Sequence, residues 1–108
     1  MPRMARLVVP RYPHHITQRG ARRQRTFFEE SDYAAYLKLI RDFKDEAGVE
    51  IWAYCLMPNH VHFVAVPERA DGLASLFGKT HARYSKLINQ ANEWRGHLWQ
   101  QRFYSVVM

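Results

Sequence analysis

The chain has 108 residues, 47% of them hydrophobic and 14% aromatic, which predicts one folded domain over residues 1–108 and excludes intrinsic disorder. Its 16 Lys and Arg residues against 10 Asp and Glu residues leave a net charge of +6, which favours a polyanionic partner such as nucleic acid. The single cysteine excludes an internal disulfide and a cysteine zinc cluster, and the lack of a long apolar stretch predicts a cytoplasmic protein without a membrane partner.

Two short β-like segments, residues 6–10 and 14–18, open the chain, and the second is the better strand candidate. A loop over residues 19–25, here called the arginine loop, follows it and contains Arg19, Arg22, Arg23 and Arg25. Four guanidinium groups so close together repel one another unless an anion lies among them. The loop therefore indicates contact with phosphate groups, and a solvated charged loop is the alternative.

A helix is predicted from Ser31 or Asp32, either of which is a candidate N-cap, to about Ala47, with Gly48 following its end. Apolar side chains recur along it at helical spacing, and charged side chains cover the rest of its surface. This pattern is typical of a scaffold helix that packs on a core.

The next two segments, residues 49–57 and 60–66, are rich in β-branched and aromatic residues and flank a Pro-Asn turn, so we expect an antiparallel hairpin. Because side chains alternate along a strand, His60 and His62 (the histidine pair) should share one face of the second strand. Two imidazoles on a rigid strand supply part of a small metal site. The alternative is a pair of half-exposed neutral histidines that only form hydrogen bonds.

A second helix is predicted from its candidate N-cap Asp71 to about Ala91, and residues 98–108 form the predicted last strand. The polar side of this helix carries a basic ridge with no acidic residue between Asp71 and Glu93. The cations of the basic ridge are Lys79, Arg83 and Lys86. We expect them either to face nucleic acid or to form a solvated helix surface.

The order strand, helix, strand, strand, helix, strand predicts a ferredoxin-like βαββαβ domain, an α+β fold whose antiparallel sheet carries both helices on one face. The first and third strands are central in this fold, so residues 14–18 and 60–66 should lie side by side. The free face of such a sheet is a common platform for nucleic acid.

Three segments, taken together and in this order, carry a likeness to a known family. They are residues 15–20 (His-Ile-Thr-Gln-Arg-Gly), residues 54–62 (Tyr-Cys-Leu-Met-Pro-Asn-His-Val-His) and residues 96–103 (Gly-His-Leu-Trp-Gln-Gln-Arg-Phe). They resemble the single-tyrosine HUH transposases of small bacterial insertion sequences, most closely the REP-associated relatives. The middle segment is the most specific, because its Met-Pro-Asn-His-hydrophobic-His run is rare outside that family.

The resemblance implies metal-dependent cleavage and rejoining of single-stranded or hairpin DNA. It implies that His60 and His62 hold magnesium or manganese against the scissile phosphate, and that a tyrosine nucleophile forms a 5′-phosphotyrosine. In the family this tyrosine and the third metal ligand lie on a helix after the last strand. The sequence ends at Met108, so we expect that helix to be lacking and the metal to be held weakly, with water or a donor such as Gln18 completing the site.

We assign no tyrosine as nucleophile, because Tyr84 falls in the apolar stripe of the second helix and nothing places Tyr104 near His60. We expect a transposase domain that binds DNA through the arginine loop and the basic ridge but does not cleave it. Apolar sheet left exposed would favour a homodimer. The alternatives are a non-catalytic regulatory DNA-binding module, and a histidine-triad nucleotide hydrolase, which would need a third histidine where Val64 stands.

Overall fold

The computed structural model describes residues 7–100 and 102–108. The elements follow the predicted order, with one additional short 3-10 turn at Ala21–Arg23 after the first strand. The strands are β1 (His14–Arg19), β2 (Val49–Met57), β3 (His60–Pro67) and β4 (Tyr104–Val107), and the helices are α1 (Glu30–Ala47) and α2 (Gly72–Asn92).

The four strands form one antiparallel sheet in the order β2-β3-β1-β4, so β1 and β3 are its inner strands. Apolar side chains such as Ile16, Val61 and Phe63 leave these inner strands on one face and are buried beneath the two helices. The ferredoxin-like α+β prediction is confirmed, including the pairing of the first strand with the third. Neither described helix combines the length and apolar character needed to cross a membrane.

Aromatic rings fill the space between the helices and the sheet. Tyr36 of α1 and Tyr84 of α2 are fully buried and meet edge to face, with ring centroids 5.4 Å apart. His81 lies among these rings, and its Nε2 shares a 2.7 Å hydrogen bond with the Tyr36 hydroxyl. Burial lowers the pKa of His81 to about 3, so the core contains a neutral imidazole at physiological pH.

The helix starts differ from the prediction in their capping chemistry. The N-cap of α1 is Glu29, and the predicted cap Asp32 lies at the third helical position, where the two side chains form a reciprocal capping box. Ser31 is therefore inside the helix. Asp71 precedes α2 as predicted, but its side chain forms no capping hydrogen bond. Gly48 ends α1 with φ +69°, as predicted for a left-handed C-cap residue.

Two predicted strand segments also need correction. Residues 7–9 form no strand, and position 6 lies outside the described residues. The last strand begins at Tyr104 rather than at residue 98, because Trp99 pairs with the sheet only through an isolated bridge to Gly20. Residues 98–100 instead support the arginine loop, since the carbonyl of Leu98 accepts the amide of Ala21 at 2.9 Å.

Candidate functional site

The histidine pair lies on the free face of β3, as predicted. His60 and His62 are half-buried, whereas Val61 and Phe63 on the other face are buried under the helices. The two imidazole centroids are 4.9 Å apart, and the ring planes are nearly perpendicular. Both rings are therefore close enough to act on one ligand.

A third histidine joins this pair, and the sequence alone did not reveal it. Nε2 of His15 on β1 lies 3.1 Å from Nδ1 of His62, and the two ring planes lie within 11° of each other with centroids 5.2 Å apart. The hydroxyl of Thr17 lies 3.4 Å from the same nitrogen. His14 is fully buried on the opposite face of β1. The antiparallel register of β1 on β3 is the signal that would have identified His15.

The surroundings of His62 favour a neutral ring, and those of His60 determine which of its nitrogens is available. Burial lowers the pKa of His62, and the neighbouring charges of His60, His15 and Arg19 lower it further. The ring is therefore uncharged at neutral pH and offers a lone pair to a cation. Nδ1 of His60 is hydrogen-bonded to Oδ1 of Asn59 at 2.7 Å, which leaves Nε2 as its available nitrogen.

The residues present fit a divalent metal in part. His60 and His62 can supply two nitrogen ligands, but no group of three His, Cys, Asp or Glu side chains in residues 7–100 and 102–108 is arranged to hold a metal ion. The expectation that Gln18 could complete the site is wrong. Gln18 is buried on the helix-facing side of β1, and its amide donates to the carbonyl of Gln100 at 2.9 Å. Water or phosphate oxygens would have to provide the remaining ligands.

The arginine loop is fixed to the turn that precedes the histidine pair. Gly20 donates its amide to the Asn59 carbonyl at 2.9 Å, and Thr26 donates to the Pro58 carbonyl at 2.8 Å. A Cβ on Gly20 would collide with the main-chain oxygen of Gln24, so the close approach requires glycine. The loop and the histidines therefore occupy the same end of the sheet.

The loop holds two arginines in an unfavourable backbone conformation. Arg22 and Arg23 have φ values of 55° and 61°, in the left-handed region. Such a conformation costs on the order of 1–3 kcal/mol for a residue with a side chain, and it persists only where neighbouring contacts enforce it. The side chains of the loop are exposed, and among the described residues none of them pairs with a carboxylate: Arg19, Arg22, Arg23 and Arg25.

The basic ridge lies elsewhere. Lys79, Arg83 and Lys86 are exposed on the outer surface of α2, which packs against the opposite face of the sheet from the histidine pair. Lys79 lies 3.8 Å from the carboxylate of Glu46 on α1, so it is not surrounded by cations alone. The structure thus brings the arginine loop to the histidines and keeps the ridge on the far side of the molecule.

The two tyrosines considered as nucleophiles have different surroundings. Tyr84 is buried and donates its hydroxyl to the carbonyl of Thr26 at 2.7 Å, which confirms it as a core residue. Tyr104 is 67% exposed on the free face, where it opposes Thr17, which in turn opposes His62. Neighbouring strands are about 4.8 Å apart, so the Cα atoms of Tyr104 and His62 are roughly 10 Å apart. This cross-strand row depends on the register of β1 with both neighbouring strands and is not apparent from the sequence alone.

The structure is thus an α+β domain built around a four-stranded antiparallel sheet, and the histidine pair lies on the sheet face that the helices leave free. The sequence matches the model of the IS200-like transposase family over residues 8–108, and the chain belongs to this family. The resemblance to transposases of small insertion sequences is confirmed. None of the curated proteins matches the chain by sequence.

Solved structures share the fold. A REP-associated tyrosine transposase bound to a REP hairpin superposes with a TM-score of 0.75 at 21% identity, covering 100% of this chain and 62% of that one. A protein from Deinococcus radiodurans R1 assigned as a transposase superposes with a TM-score of 0.72 at 20% identity, covering 99% of this chain and 86% of that one. The present chain thus spans less than two thirds of the hairpin-bound transposase.

Proposed function

We propose that this protein binds single-stranded or hairpin DNA at the end of its sheet where the arginine loop meets the histidine pair. The observation that carries the proposal is the main-chain bond between Gly20 and Asn59, which joins the cationic loop to the turn leading into His60. Exposed guanidinium groups without carboxylate partners favour phosphate contacts. Membership of a transposase family and a hairpin-bound structural relative support DNA as the polyanion.

We further propose that His60 and His62 hold one divalent cation, magnesium or manganese, next to a phosphate group of that DNA. When bound, the cation would neutralise phosphate charge and polarise the phosphorus. Arg19, which opposes His60 across the strand pair, would hold the same phosphate from the other side. The protein's own part is to position the DNA backbone, since two imidazoles alone bind a hard cation weakly.

The basic ridge has a separate role in this proposal. Because Lys79, Arg83 and Lys86 face away from the histidine pair, they would contact a different part of the DNA from the phosphate at the sheet. Their contribution would be sequence-independent and sensitive to salt.

The chemistry proposed for this chain stops at binding. The buried hydroxyl of Tyr84 is committed to Thr26, and the Cα atom of Tyr104 is two strands, roughly 10 Å, from that of His62. We therefore expect no phosphotyrosine bond through these tyrosines, which leaves a regulatory DNA-binding role as the alternative to strand transfer. A labelled hairpin oligonucleotide mixed with the protein and manganese should give no protease-sensitive retarded band on a denaturing gel. Such a band would show that a tyrosine of this chain does attack DNA.

Binding itself is tested by fluorescence anisotropy with a single-stranded oligonucleotide that contains a hairpin. Replacing Arg22 and Arg23 together by Ala should weaken binding, and the slope of log K against log salt should fall by about 0.7 for each phosphate contact removed. Arg41, exposed on α1 away from the sheet end, provides the matched control. An equal loss for Arg41→Ala would contradict the proposed interface.

A further inference from the structure

Each ring of the histidine pair has one nitrogen already engaged, and in both rings it is Nδ1. In His60 this nitrogen lies 2.7 Å from Oδ1 of Asn59. In His62 it lies 3.1 Å from Nε2 of His15. The two partners come from different elements, the hairpin turn and β1. The engagement of Nδ1 in both rings is therefore a result of the tertiary structure and not of local sequence alone.

The hydrogen-bond chemistry around Asn59 determines which nitrogen of His60 carries the proton. The side-chain nitrogen of Asn59 lies 3.4 Å from the carbonyl oxygen of Arg23, which can only accept. The amide nitrogen must therefore face Arg23, and the amide oxygen must face His60. Because that oxygen also only accepts, Nδ1 of a neutral His60 has to be the donor, and Nε2 keeps its lone pair.

The contact between His15 and His62 can produce the same tautomer in the second ring. If Nδ1 of His62 donates to Nε2 of His15, the lone pair of His62 is likewise on Nε2. The two ring planes lie within 11° of each other and their centroids are 5.2 Å apart, so the rings meet edge to edge with their facing nitrogens nearly in plane, the geometry that such a hydrogen bond needs. Metal-binding histidines ordinarily donate their second ring nitrogen to such a partner, which fixes both tautomer and orientation.

We propose that Asn59 and His15 are positioning residues that hold His60 and His62 in the Nδ1–H tautomer, so that both Nε2 atoms are available to one divalent cation. This inference rests on the proposed metal role of the histidine pair. Asn59 has a second duty, because the same amide bonds to Arg23 and so ties the arginine loop to the ring of His60. Cation binding and phosphate binding would thus be coupled through one side chain.

The direct test is a long-range ¹H–¹⁵N correlation spectrum of the histidine side chains in the metal-free protein, which reports each tautomer. We expect His60 and His62 of the wild type to carry the proton on Nδ1. Asn59→Ala should allow the Nε2–H tautomer of His60 and leave His62 unchanged. His15→Phe keeps an aromatic ring but removes the imidazole acceptor, which is closer to Nδ1 of His62 than the Thr17 hydroxyl is, and it should change the tautomer of His62 alone.

Conservative and control variants distinguish positioning from general damage. Asn59→Asp retains an acceptor for His60 and should restore the Nδ1–H tautomer. Asn92→Ala removes an asparagine whose side chain donates to the carbonyl of Ile88 in α2, and it should leave both histidine spectra unchanged. Manganese affinity, measured by titration, should fall about ten- to a hundredfold in Asn59→Ala and recover in Asn59→Asp.

The inference is wrong if wild-type His60 carries its proton on Nε2, or if Asn59→Ala changes neither the tautomer nor the affinity. Failure of the proposed function gives a different pattern. In that case the wild-type tautomers and their response to Asn59→Ala would be as expected, while manganese would not bind to the wild type at all.

Discussion

Mild acid should destabilise this protein through His81, a core histidine on the helix-covered side of the sheet. The imidazole is buried, its ring centroid lies 4.6 Å from that of Trp99, and its Nε2 is bonded to the Tyr36 hydroxyl. Burial lowers the pKa of His81 to about 3, whereas an unfolded histidine has a pKa of about 6.5. The unfolded chain therefore binds a proton between these two pKa values and the folded chain does not.

The size of the effect follows from this difference. A folded-state pKa below the unfolded value gives stability that is complete above pH 6.5 and is lost as the pH falls. Each pH unit below 6.5 costs about 1.4 kcal/mol, so acidification from pH 7 to pH 4.5 should lower the free energy of unfolding by roughly 2–3 kcal/mol through His81 alone.

Urea unfolding at pH 7 and pH 4.5 measures this loss in the wild type and in His81→Gln, which cannot titrate. The variant should be less stable at pH 7 but should lose roughly 2–3 kcal/mol less than the wild type on acidification. His97→Gln, at an exposed position, is the matched control and should behave as the wild type does. An unchanged pH dependence in His81→Gln would refute the reasoning, because the acid-sensitive group would then be elsewhere.

Two further substitutions, one of them with a matched control, test by thermal or urea unfolding the contacts that hold the arginine loop and its neighbouring core in place. Gly20→Ala places a Cβ against the carbonyl of Gln24 and should cost about 1–3 kcal/mol, whereas Gly78→Ala on α2 meets nothing within 4 Å and should be neutral or stabilising. Equal stability of the two variants would contradict the crowding at Gly20. Tyr84→Phe leaves the buried carbonyl of Thr26 without its donor and should also cost about 1–3 kcal/mol; a smaller loss would mean that water replaces the hydroxyl.

The fold could be predicted because its signals are local and repeated. Apolar residues alternate with other residues along positions 60–66 and recur at helical spacing in both helices, and these patterns determine which side chains are buried. The order of the strands in the sheet follows from the order of the elements along the chain. The N-cap of α1 was predicted wrongly because Glu29 and Asp32 form a reciprocal capping box, in which each side chain accepts the other residue's backbone amide. The helix therefore starts before Asp32, which taken alone is the stronger capping residue type. The last strand was predicted to start too early because residues 98–100 bond to the arginine loop, a tertiary contact.

The candidate site could be predicted only where its residues are close in sequence. His60 and His62 share a face through strand geometry, but His15 reaches them only through the register of β1 on β3. Gln18 was a candidate ligand because its side-chain oxygen can bind a metal. Side chains of β1 alternate between the two faces of the sheet, however, and this alternation places Gln18 on the buried face. The distance between the basic ridge and the histidines depends on which face of the sheet the helices cover, and charge spacing along α2 carries no information about that.

The central claim is that DNA phosphate and a divalent cation meet at the histidine pair, and paramagnetic broadening by manganese tests it most directly. The ¹⁵N-labelled protein is mixed with the hairpin oligonucleotide, and substoichiometric manganese is added. We predict that the amide signals of His60, His62 and the arginine loop broaden first, and that His62→Ala abolishes this selectivity. Broadening centred instead on the exposed carboxylates of α1, or unchanged in His62→Ala, would contradict the account.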